Sequence, residues 1–136
     1  MDTILGWRQD RRLVKAGARL VASDISVAEA CLQNTKREGK WFAYYEFSTA
    51  NWDEYRGVLA VKLDSNDFTK VSQCIVILRE LFEKIPGSPG WPSGGAFMDL
   101  LPEIIKKMDV PLQEIAAARA VLRKWGGDAV SEREDS

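Results

Sequence analysis

Histidine is absent from all 136 positions of this chain, which removes much of the chemistry a protein of this size could perform. Without an imidazole there is no Ser-His or Cys-His pair, no histidine general base, and no Glu-x-x-His element of the di-iron bundles. The two cysteines, Cys31 and Cys74, are widely separated and offer no zinc-ligand spacing. Asp99 and Glu103 stand four apart and could share a helix face as paired acids do in some hydrolases, but an isolated pair reads as solvated surface. The glycines of PGSPGWPSGG, residues 86–95, precede a helical pattern as anion-binding helix starts do; no GK[ST] element follows, so the segment reads as a linker. The expectation is a chain without catalysis, cofactor or metal.

Binding surfaces are better represented. Arg8, Arg11, Arg12, Lys15 and Arg19 cluster with Asp10 as the only acid among them. Spacings of three and four put Arg8, Arg12, Lys15 and Arg19 near one helical stripe, able to contact phosphates, an anionic lipid surface or a protein partner. The bland alternative is a solvated face. Ile4, Leu5 and Trp7 directly precede the stripe, a pairing that suits interfacial anchoring. Trp41, Trp52 and Tyr55 could line an aromatic small-molecule pocket or, in the favoured reading, plug the end of a bundle. Trp91, between Gly90 and Pro92, has no evident core to enter and is a candidate partner anchor if exposed.

The elements that must position these residues are helices. From Thr3 to about Arg37 there is no proline, and apolar or small residues recur at Val14, Gly17, Val21, Ile25, Ala28 and Leu32, a helical spacing. Asp2 or Thr3 can cap the start and Gly39 lies just past the end. The aromatic stretch from Trp41 to Phe47 suits a short helix, a plug or a strand. A second helix is expected from about Thr49 to Leu63, with Asn51 and Glu54 spaced as a capping box. A third runs from about Asp67 to Ile85 behind the turn at Asp64–Asp67. Phe97 to Met108 reads as a fourth helix with Pro102 in its first turn, and Asp109 to Trp125 as a fifth, stopped by Gly126 and Gly127. The fold class expected is all-α: a bundle of about five helices over residues 1–125, with a linker at 86–95 and an acidic tail at 126–136.

Length then poses a question. The first helix would be roughly 50 Å long and the next two roughly 20 to 30 Å. Its N-terminal half must be covered by the last helices, pair with another copy of the chain, or stand exposed.

Composition agrees with one ordinary folded domain: 46% hydrophobic, 29% charged, 19 Lys and Arg against 20 Asp and Glu. A net charge of −1 supplies no global field toward nucleic acid or membrane, so such binding has to be local. The longest aliphatic run, Cys74 to Leu78, is too short to span a bilayer, and no signal-peptide pattern opens the chain. The cysteines read as small core hydrophobes of a cytoplasmic protein.

LVKAGARLVASDISVAEACL followed by GKWFAYYEFSTANWDEYRGVLAVKLDSNDFTKVSQCIVILREL resembles a loose group of uncharacterised, mainly actinobacterial small helical proteins. The resemblance covers roughly Arg11 to Phe82. Its marks are an ARLV-like helix (here Arg19 to Val21), a Gly-x-Trp (Gly39, Trp41) and a Trp-x-x-Tyr-x-x-x-Leu-Ala helix (Trp52, Tyr55, Leu59, Ala60). Many members look as if they carry a membrane span ahead of the basic stretch; MDTILGW is too short for one. The resemblance implies a helical fold and no activity or site residue. The function expected is therefore a non-catalytic structural or protein-interaction module, with self-association into a homo-oligomer in view. The alternatives are a membrane-surface or nucleic-acid binder acting through the basic stripe, and a small-molecule binder at the aromatic segment.

Overall fold

A computed structural model describes residues 3–86 and 96–127, with side chains from residue 11 onward. The order is α1 (Thr3–Glu38), β1 (Lys40–Phe42), α2 (Ala50–Lys62), α3 (Ser65–Lys84), β2 (Phe97–Asp99), α4 (Pro102–Lys106) and α5 (Asp109–Gly126). The chain is mostly helical, but among the described residues four helices, not five, form the bundle, beside a two-stranded sheet. Trp91 and most of the expected linker and tail lie outside the described residues.

The first helix forms as its pattern dictates, 36 residues long, or about 54 Å. Val14, Ala18, Val21, Ile25, Ala28 and Leu32 are all buried. Gly39 ends it in the left-handed region at φ 71°, its N–H donating to the Thr35 carbonyl at 2.7 Å. That turn starts β1, so the aromatic segment opens as a strand, antiparallel to β2 with Trp41 opposite Met98.

This pairing displaces the first half of the expected fourth helix. Leu101 precedes Pro102, whose ring disfavours the helical region for its neighbour, and Leu101 accordingly sits extended at φ −67°, ψ 146°. Phe97–Asp99 takes the open edge of β1, and helix resumes only at Pro102, for five residues. In α5 Pro111 falls within the first turn, where a missing N–H leaves no bond unmade.

The capping box at Asn51 and Glu54 does not form either. The helix begins one residue earlier, at Ala50, and Asn51 Nδ2 instead donates to Asp24 on α1 at 2.9 Å. Asp64 does cap α3, accepting from the Asp67 N–H at 2.8 Å.

Two helices flank α1, both antiparallel to it. Along α5, Asp109 pairs with Lys36, Arg119 with Glu29, and the Gly126 carbonyl accepts from Arg19 Nε at 2.7 Å. Along α2, Asn51 lies by Asp24 and Tyr55 by Gly17. The last helix thus runs along α1 from Ala18 to Lys36, its C-terminal half, and reaches the N-terminal half only at its own last turn. α3 closes the bundle against α5 and α2, contributing Val71, Cys74, Ile75, Leu78 and Phe82 to the core.

Two glycines set how closely α1 is approached. A Cβ on Gly17 would fall 2.8 Å from Tyr55 Cβ and Cγ, and one on Gly126 would fall 3.1 Å from Ala18 Cβ. A larger residue at Gly17 would push α2 outward, whereas at Gly126 the α1 atoms would have to give by only a few tenths of an ångström.

Candidate functional site

Where the C-terminal ends of α2 and α5 meet the early turns of α1, the side chains flank an open, shallow cleft of about 530 Å³. It is lined by Arg11, Arg12, Val14 and Lys15 of α1, Lys62 of α2, and Lys124 and Trp125 of α5. Five of these seven residues are cations and none is an acid. The antiparallel packing causes this convergence. Lys62 and Lys124 occupy the last turns of their helices, where positive charge is favoured by the exposed carbonyls, and both helices end beside the basic start of α1.

One carboxylate orders the aromatic wall. Asp67, only 7% exposed, accepts from Trp125 Nε1 at 3.0 Å and from Lys124 Nζ at 3.1 Å, tying the start of α3 to the end of α5. The Trp125 bond first, then that from Lys124, holds its carboxyl below the usual carboxylate range. Trp125 is half-buried and presents its remaining surface to the cleft, with the Lys124 ammonium 5.7 Å from its ring centroid.

The residues singled out from sequence separate into distinct roles. Arg11, Arg12 and Lys15 are exposed and line the cleft. Arg8 lies in α1, but its side chain is outside the described residues. Arg19 leaves the stripe: it is half-buried and its guanidinium bonds the end of α5, a packing role.

Trp41, Trp52 and Tyr55 are not brought together into a pocket. Trp41 is buried and packs edge-on against Tyr45 and Phe82, whereas Trp52 stacks on Phe68 with ring centroids 5.4 Å apart. Phe68 and Phe82 are fourteen residues apart on α3, about 21 Å, so the two tryptophans plug opposite ends of the bundle. Tyr55 covers Gly17.

Both cysteines are free and buried. Burial pushes the Cys31 thiol up, and burial, helped by the charge of Glu114, pushes Cys74 up to about 12, so neither is a nucleophile at neutral pH. Among the described residues, no group of three or more Cys, Asp or Glu is placed to hold a metal ion. Nor is any helix there long and apolar enough to cross a membrane.

Sequence reasoning missed Lys62, Lys124, Trp125 and Asp67 as parts of a site. The available signals were weak: a lysine in the last turn of a helix is ordinary capping, and Trp125 before two glycines marks a helix end. The marks of the resemblance are largely packing residues, with Val21, Trp41, Trp52 and Leu59 buried and Ala60 exposed. Compared with known proteins, the chain matches no family model, no curated protein and no solved structure.

Proposed function

We propose that this protein is a non-catalytic interaction module that binds an acidic segment of a protein partner in the cationic cleft. The observation that carries the reading is the lining itself: five cations around one indole and one valine, with no carboxylate or thiol among them. Such a surface supplies charge and one apolar contact, which suits a carboxylate-bearing segment with an aromatic or aliphatic side chain. It supplies no evident acid–base pair for a reaction.

Concavity and size favour this partner over the alternatives. A recess of about 530 Å³ accepts a few side chains, whereas a duplex or a lipid surface needs an extended basic face. The chain as a whole is slightly acidic, at −1, so outside the cleft it adds no general attraction for a polyanion.

Fluorescence anisotropy with labelled octaglutamate tests the reading. Binding at low ionic strength should weaken as salt is raised, and Arg12→Glu with Lys15→Glu should weaken it about tenfold or more, because two attractive contacts become repulsive. Absence of binding at low salt, or binding indifferent to the double reversal, would sink the proposal. Tight, salt-dependent binding of duplex DNA or of anionic vesicles in preference to the peptide would favour the basic-stripe alternative instead.

A further inference from the structure

A second recess lies along the C-terminal half of α1, where the segment after β1 returns to the helix. It is an open, shallow groove of about 590 Å³. Val27, Ala30, Asn34 and Arg37 line it from one stripe of α1, and Tyr44 and Tyr45 line it from the aromatic segment. Tyr44 is 74% exposed yet held on two sides, its ring centroid 5.6 Å from that of Phe42 and 5.1 Å from that of Tyr45. Tyr45 in turn rests edge-on against buried Trp41 at 5.2 Å. An exposed ring already fixed by its neighbours loses little freedom when a ligand covers it.

The polar groups of the groove are aligned as donors. Arg37 can only donate, and its Nη2 gives to Asn34 Oδ1 at 2.5 Å. That fixes the Asn34 amide, whose Nδ2 gives to the Tyr45 hydroxyl oxygen at 2.5 Å. With its oxygen accepting, Tyr45 has its own proton to give to an occupant of the groove. Exposed Gln33 brings an acceptor, but no carboxylate is among the lining side chains. Arg37 already faces Glu38, with Nε 3.2 Å from Oε1, so the groove offers little net charge to an anion.

Such a lining suits a neutral ligand with apolar surface and carbonyl acceptors but no donors of its own. Sugars and ordinary extended peptides bring hydroxyls or N–H groups that need acceptors. A run of prolines has no N–H, presents only carbonyls, and arrives as a preformed helix of the kind that docks on aromatic grooves. Length agrees: Val27 to Arg37 is ten residues of helix, about 15 Å, which spans about five residues of polyproline II at about 3.1 Å each.

We propose that this groove is a second binding site, taking a proline-rich segment of a partner protein in the polyproline II conformation. Its pyrrolidine rings cover Tyr44 and Val27, and one of its carbonyls accepts from the Tyr45 hydroxyl. The site is independent of the cationic cleft, with which it shares no lining residue.

The test titrates isotope-labelled full-length protein with decaproline, capped at both ends to carry no charge, and follows it by NMR. Shifts at Val27, Asn34, Arg37, Tyr44 and Tyr45 are expected, insensitive to salt. Tyr44→Ala, at an exposed position, should keep the helical circular dichroism and weaken binding about tenfold or more. Tyr45→Phe should weaken it about two- to tenfold by removing the donated proton. Arg12→Glu with Lys15→Glu should leave decaproline binding unchanged. The proposal is overturned by an absence of shifts at millimolar peptide, by shifts centred on the cationic cleft, or by equal binding of a capped Gly-Ser peptide of the same length. Binding undiminished in either tyrosine variant overturns it too.

Discussion

Replacing Gly17 with alanine places a methyl group where Tyr55 already stands. The new Cβ would lie 2.8 Å from Tyr55 Cβ, 2.8 Å from Cγ and 2.9 Å from Cδ1, well inside the roughly 3.5–4.0 Å of carbon–carbon contact. Two effects oppose each other. Alanine is favoured over glycine within a helix by about 0.8–1 kcal/mol, whereas forcing an extra carbon into a packed contact costs about 1–3 kcal/mol. The second should win, because Cβ and Cγ are fixed close to the α2 backbone and ring rotation cannot clear them. Relief requires α2 to move off α1, loosening Trp52 and Leu59, which are buried on the same helix. The net loss should be about 1–2 kcal/mol, read as a lower midpoint in guanidinium unfolding followed by circular dichroism. Gly57 supplies the control within the same helix pair. Nothing lies within 4 Å of its Cβ position, so Gly57→Ala should raise stability by about 0.8–1 kcal/mol. If Gly17→Ala matches Gly57→Ala, the close approach of α1 and α2 does not limit this fold.

Asp67→Asn should loosen Trp125 while leaving the helices in place, seen as a shifted Trp125 indole resonance. Because the folded Asp67 carboxyl titrates below the ordinary range near about pH 3.9, its stabilisation is present above that range and lost as pH falls through the lower, folded value. Acid unfolding of Asp67→Asn should therefore lack that part of the pH dependence; an unchanged acid limb would refute it. Neither Cys31 nor Cys74 should react with a disulfide reagent at neutral pH until denaturant is added, and fast labelling of Cys74 in the native chain would contradict its burial. Since the folded Cys74 thiol titrates at about 12, stability should fall as pH rises past the ordinary thiol range near about 8.5, and Cys74→Ala should flatten that fall.

Much of the helical framework was legible because period 3.6 and turn chemistry are local properties. Val14 through Leu32, the Gly39 stop, the Asp64 cap and the buried face of α3 all follow from residues within a few positions of one another. The expected fourth helix failed because a nonlocal partner, β1, took Phe97–Asp99 into a strand, and because Leu101 yielded to the proline after it. The aromatic trio was legible as apolar, but not as two separate plugs, since the distance between Trp41 and Trp52 is set by which end of α3 each one meets.

By itself the sequence determined that no histidine chemistry occurs, that helices dominate, and that Arg11, Arg12 and Lys15 sit close together on one turn of α1. Only the tertiary structure decided that Arg19 departs from that group to bond the end of α5, and that Lys62, Lys124 and Trp125 join it. The physical reason is that a charge stripe is a property of one helix, whereas a cleft is a property of three. The antiparallel seating of α2 and α5 on α1, set by the close approaches at Gly17 and Gly126, brings two helix C-termini and their lysines to the one basic turn.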